Sequence, residues 1–122
     1  MISTNKEQAK KLIEGLNFDP ESADMRWERD SMMSDSMSLV VGKPELSSDI
    51  PSWSVDRLIK LLPDEITDDN GDTYTPVFGK NVILYFNSKK SLCSFHGTDI
   101  IEMFIDCFTW LKENNFDIES DF

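Results

Sequence analysis

Residues 98–114, TDIIEMFIDCFTWLKEN, decide the fold class. At about 100° per residue, Asp99, Glu102, Asp106 and Glu113 fall within an arc of roughly 60°. Ile100, Ile101, Phe104, Cys107, Phe108 and Leu111 lie on the opposite side. The spacing predicts a core-forming helix whose outer face is almost purely negative. Trp110 and Met103 project at about 20° and 40° from Asp99, beside the acidic stripe. An aromatic ring and a thioether flanked by carboxylates make a reasonable protein-binding patch. Packing under a neighbouring loop is the plainer alternative for both.

Upstream of that helix the periodicity changes. Residues 81–87, NVILYFN, are apolar on both faces, as a central sheet strand is, and 91–96 returns after the turn Asn87-Ser88-Lys89-Lys90. On the return strand Cys93 and Phe95 share one face while Leu92, Ser94 and His96 share the other. If helices cover one sheet face only, Ile83, Tyr85 and Leu92 are expected on the other, under loops or a second copy of the chain. A further strand begins near Tyr74.

The first helix carries Ala9, Leu12, Ile13 and Leu16 as a narrow apolar stripe. Thr4 and Glu7 are spaced as a capping box, and Gly15 marks its end. Asp19-Pro20 reads as a cap followed by a first-turn proline. A hairpin is predicted from 25–28 to 38–42, then a loop with Pro44 and Pro51. Ser52 or Ser54 caps a second helix that Pro63 ends, and Trp53 staples its start. No internal repeat or low-complexity tract is read. The order is helix, hairpin, helix, hairpin, helix. The expected fold is therefore α+β: a two-layer antiparallel sheet of about four strands packed against three helices. A chain of 122 residues fits a single domain, with a flexible segment at 30–37 and a frayed tail at 117–122.

Charge narrows the function classes. Twenty-three acidic against twelve basic residues leave −11, which disfavours direct binding to nucleic acid and to anionic membranes. An unknown protein partner is favoured, and a basic one is electrostatically suited. Carboxylates imitating phosphates for a DNA-binding protein are a sharper version, and a structural homodimer is a further alternative. Acidity that merely keeps the chain soluble is the bland reading. No apolar run approaches the ~18 residues of a membrane span, and the first residues lack a signal-peptide core. Cytoplasmic location is expected, with Cys93 and Cys107 as free thiols.

Candidate chemistry is sparse. His96, the only histidine, is three residues from Cys93 and so on the opposite face of a strand. The run Asp68-Asp69-Asn70-Gly71-Asp72 faintly suggests a calcium loop, but positions six and twelve of that loop would be Thr73 and Gly79 instead of Gly and Glu. A solvated Asn-Gly turn fits better. No catalytic or metal-ligating residues and no cofactor are assigned, and the expected class is non-enzymatic. The partner-binding candidates are Asp99, Glu102, Asp106, Glu113, Met103 and Trp110.

Several local patterns occur together: Ser22-Ala23-Asp24-Met25, Pro51-Ser52-Trp53-Ser54 with Leu61-Leu62-Pro63, and Glu102-Met103 with Trp110-Leu111 and Asn114. In these the chain, from about Leu12 to Asn115, resembles a group of small uncharacterised proteins encoded by phages and mobile elements of gut Bacteroidetes. The resemblance implies an intracellular accessory protein of a mobile element and carries over no catalytic residue.

Overall fold

The structure, a computed structural model, describes residues 2–31 and 35–116. The tail expected to fray at 117–122 lies outside the described residues. The chain divides into two compact units, one running to Lys60 and one beginning at Leu61. Each is built from antiparallel strands and helices, so the fold is α+β. In place of one four-stranded sheet there are two sheets, of three and four strands, and the element order is α-βββ-α-ββββ-α.

In the first unit, α1 (Lys6–Lys10) runs into one wide π-helical turn at Lys11–Gly15. Its cap is not Thr4. The Asn5 side chain accepts from the Gln8 N–H and the Gln8 side chain accepts from the Asn5 N–H, a capping box one residue later. The reason lies in what Thr4 does instead. Its hydroxyl is fully buried and accepts the Trp53 N–H at 3.0 Å. The helical run ends at Gly15, as predicted, but the left-handed residue that follows it is Asn17, at φ 58°. Asp19 caps the short 3-10 turn Pro20–Ser22, as its Asp-Pro pair predicts.

The predicted hairpin forms between β1 (Met25–Arg29) and β2 (Met37–Val41). Met37 therefore belongs to a strand, and the Asp30 N–H reaches the Ser36 carbonyl at 3.0 Å across the connection. A third strand, β3 (Ile50–Ser52), pairs with the other edge of β1 where a loop was expected. Two features disguised it: Pro51 within it and its length of three residues. The helix α2 (Val55–Leu61) follows, and the Ser54 hydroxyl accepts the Arg57 N–H at its first turn.

The second unit has strand order β4-β5-β6-β7: Ile66–Thr67, Thr73–Gly79, Val82–Phe86 and Ser91–His96. Then comes α3 (Ile100–Glu113). Across β6 and β7, Ile83 opposes Phe95 and Tyr85 opposes Cys93. Directly opposed side chains share a face, and Phe95 meets Trp110 of α3 edge-on at 6.3 Å. So Ile83 and Tyr85, expected on the uncovered face, are on the helix face with exposures of 1% and 0%. The other face holds Val77, Leu84 and Phe86, with Val77 and Phe86 exposed.

Candidate functional site

The acidic stripe of α3 forms, but its members do different things. Asp99 is the N-cap, accepting the Ile101 N–H at 3.0 Å and the Glu102 N–H at 3.3 Å. Its charge also opposes the positive end of the helix dipole. Glu102 is half-buried, while Asp106 and Glu113 are exposed. Neither Asp106 nor Glu113 has an ion pair among the described residues. They are seven residues apart, about 10 Å along the axis on one face.

Met103 does not belong to this surface. It is 2% exposed, packed where Gly97 has no side chain: a Cβ on Gly97 would stand 3.3 Å from the Met103 Cγ. The chain entering α3 thus folds over the first turn and takes Met103 inside, the packing alternative of the wheel. Gly97 was the available signal. Trp110 is half-buried between Phe95 and Phe116, the latter stacked at 5.6 Å with the planes 19° apart. Phe116 gets there because Asn115 turns left-handed at φ 62° and the Phe116 N–H bonds the Leu111 carbonyl at 2.9 Å. Of the six candidates, Asp106 and Glu113 are the exposed carboxylates without an ion pair among the described residues, and half-buried Trp110 stands between them in sequence on the same helix.

The remaining sequence candidates resolve into structure. His96 is exposed, with Nε2 at 3.3 Å from the Ser94 hydroxyl on its own strand. Both cysteines are free thiols, Cys93 half-buried and Cys107 buried; burial pushes both thiol pKa values up, away from a reactive thiolate. Asp68 organises its own loop: Oδ1 accepts the N–H groups of Asn70 and Asp72, and Oδ2 accepts the Tyr74 hydroxyl at 2.9 Å. Burial raises the Asp68 pKa. The hydrogen bonds from Tyr74, Asp72 and Asn70, with Lys90 nearby, outweigh that and leave it below the usual carboxylate range. Among the described residues, no group of three His, Cys, Asp or Glu side chains is placed to hold a metal ion. No helix among them is long and apolar enough to cross a membrane.

What sequence reading missed is a polar framework in the first unit. The Ser52 hydroxyl donates to the Thr4 carbonyl at 2.7 Å, so its 3.3 Å contact with the Thr4 hydroxyl must take its proton from Thr4. The Asp24 carboxylate accepts both the N–H and the hydroxyl of Ser54. The Ser22 hydroxyl accepts the Trp53 indole N–H at 3.0 Å, and its carbonyl accepts Arg57 Nε at 2.8 Å. The sequence marked Ser54 as a cap and set Ser22, Asp24 and Ser52 within short local patterns, but isolated serines and threonines carry no periodicity that would pair them across the chain. Two open cavities flank β1: one of about 390 Å³ lined by Asn5, Lys6, Glu7, Trp27 and Met37, the other of about 370 Å³ beside Asp49.

No protein-family model, curated protein or solved structure matches the chain.

Proposed function

We propose that this chain is a non-enzymatic protein-binding accessory module of a phage or mobile element, working in the cytoplasm on a basic partner through the outer face of α3. The observation that carries the reading is the pair Asp106 and Glu113, exposed on one helix face without ion pairs among the described residues. Trp110, half-buried against Phe95 and Phe116, adds an aromatic side chain next to them. The excess of acidic residues steers a basic surface toward the chain at long range.

The test is capture of partners from host lysate at low and moderate salt, with wild type beside the double variant Asp106→Lys/Glu113→Lys. Asp99 is left alone, because reversing it would remove the helix cap and confound folding with binding. Loss of the recovered partner with unchanged thermal stability supports the reading; equal recovery overturns it. A nucleic-acid-binding partner recovered only at low salt and displaced by DNA would sharpen it to phosphate mimicry.

A second reading, a structural homodimer, draws on the open face of the second sheet. Val77 and Phe86 are each 39% exposed there, beside Leu84, and the strands place no carboxylate on that face. In so acidic a chain this is a face on which two copies would meet without direct charge repulsion. Light scattering at micromolar concentration decides it: a monomer mass excludes a stable dimer.

A further inference from the structure

The second sheet ends differently at its two edges. At one, β4 is two residues long and runs straight into Asp68 and Asp69. At the other, β7 has six residues, SLCSFH, with no proline, lysine, arginine or carboxylate. Short strands and charges guard sheet edges against further pairing. β4 has both guards, and β7 has only a bulge near its start, opposite Tyr85 and Phe86.

The register fixes which main-chain groups β7 leaves open. The Gly97 N–H bonds the Asn81 carbonyl at 3.3 Å, and Phe95 opposes Ile83 two residues further along. Bonding direction alternates along an antiparallel strand. Phe95 therefore bonds inward to β6, while the N–H and C=O groups of Ser94 and His96 point away from the sheet. Among the described residues no strand lies on that side.

The helix α3 walls this edge. Phe104 stacks on Phe78 of β5, and Trp110, roughly 120° further round the helix, meets Phe95 of β7. Asp106 and Glu113 lie another ~40° and ~60° round in the same sense, so they overhang the space beside β7. A strand added there has one face against Phe95 and Trp110 under these carboxylates. Its other face continues the row Val77, Leu84 and Ser94.

We infer that the β7 edge takes an extended basic segment of the partner protein as an added antiparallel strand, with Arg or Lys at the positions facing α3. This rests on the reading of α3 as the surface for a basic partner and names the form that partner takes. The aliphatic stem of each basic residue lies along Phe95 and Trp110, and its head reaches Asp106 or Glu113. Main-chain bonds to Ser94 and His96 supply affinity, and the alternate charges supply selectivity. A second copy of the chain fits the edge less well, since it would bring two overhanging acidic helices together across the two-fold axis.

The probe is the peptide Val-Arg-Val-Arg-Val-Arg-Val, acetylated and amidated, titrated into the protein and followed by NMR and amide hydrogen exchange. Exchange at the Ser94 and His96 N–H groups should slow as the peptide saturates, while that of Phe95, already bonded to β6, changes little. N-methylation at the valines, whose N–H groups face β7, should abolish binding. N-methylation at the arginines, whose N–H groups face away, should preserve it. Asp106→Lys/Glu113→Lys should weaken binding by about tenfold or more. Absence of binding, equal affinity of the two methylated peptides, or unaltered exchange at Ser94 and His96 overturns the added strand. If the charge reversal still weakens binding in either of the last two cases, the α3 reading stands without it. Protection at Ser94 and His96 with affinity unchanged in the double variant overturns the acidic wall and the α3 reading together. Protection that grows with protein concentration before any peptide is added gives the edge to a second copy and overturns the proposal.

Discussion

Thr4, Gln8, Ser22, Asp49, Ser52 and Ser54, the buried polar side chains among the described residues, all precede Lys60. From Leu61 onward the buried side chains are of another kind: Ile66, Tyr74, Ile83, Tyr85 and, along α3, Ile101, Met103, Phe104, Ile105, Cys107, Phe108 and Leu111. The first unit is held by hydrogen bonds between short side chains and backbone, laid over a smaller apolar centre of Leu12, Phe18, Trp53 and Leu58. The second is held by one long helix on a sheet. Hydrogen bonds are directional and fail individually when one partner is lost; apolar burial is non-directional and scales with volume removed. The two units should therefore respond to different substitutions.

The largest effect is expected in the apolar unit. Phe104 is fully buried and stacked on Phe78 at 6.0 Å. Phe104→Ala should cost about 3–5 kcal/mol in urea unfolding. A loss under about 1 kcal/mol would mean that α3 is not the element that closes the second core. The comparison is drawn more finely by one substitution made twice. Thr4→Val keeps shape but leaves the buried Trp53 N–H without an acceptor and should cost about 1–3 kcal/mol. Thr109→Val removes only a hydroxyl that donates back to the Ile105 carbonyl within α3, and should stay within about 0.5 kcal/mol. Equal effects would erase the distinction between the units.

That distinction also decided how much could be read in advance. The α3 segment has a 3.6-residue apolar period, β6 and β7 are continuous apolar or alternating, and these elements emerged near their predicted positions. Their faces were harder. Ile83 and Tyr85 were put on the wrong side because which face a helix covers depends on register, and register is a pairing property. β3 and β4 escaped because three and two residues carry no measurable period. The capping box was placed at Thr4 instead of Asn5 because a threonine can spend its hydroxyl on a distant backbone N–H. At the candidate site the carboxylates were legible from the wheel, yet Met103 was misassigned. A wheel angle cannot register that Gly97, six residues earlier, makes room for its side chain. The Asp49 cavity left no sequence signature, since its walls come from the end of β1 and the residues before β3.

Acid should act on each unit through a carboxylate whose pKa is lowered, Asp49 in the first and Asp68 in the second. The N–H groups of Leu46 and Glu45 hold Asp49 below the ordinary carboxylate value, and burial opposes them only in part; Arg26 adds to the lowering. Asp68 is likewise lowered. A pKa lower in the folded than in the unfolded chain contributes stability above the unfolded value, near 3.8, and loses it as pH falls through the folded value. Unfolding by urea at about pH 6 and about pH 3 should show a drop in stability, and Asp49→Asn and Asp68→Asn should each reduce that drop. An unchanged pH dependence in both variants would show that the hydrogen bonds to these carboxylates do not distinguish the charged form.

The smallest effects concern a feature the two units share. Residues 17–22 read NFDPES and 115–120 read NFDIES, a short repeat where none was expected. In each copy the Asn is left-handed, at φ 58° and 62°, and the Phe bonds back to the preceding helix, Phe18 to Leu12 and Phe116 to Leu111. The first return spans one residue more because the last turn of that helix is the wider π-helical one. Each Phe then meets a Trp, Phe18 with Trp53 at 5.8 Å and Phe116 with Trp110 at 5.6 Å. Asn17→Ala and Asn115→Ala should each cost about 1 kcal/mol, because a Cβ disfavours this backbone region, while the glycine variants stay near wild type. Gly15→Ala should move the other way and stabilise by about 0.5–1 kcal/mol. Its φ lies outside the left-handed region and an added Cβ would meet nothing within 4 Å. If Gly15→Ala instead destabilised, the glycine would be required by the π-helical turn itself, and the helix end would be set there and not at Asn17.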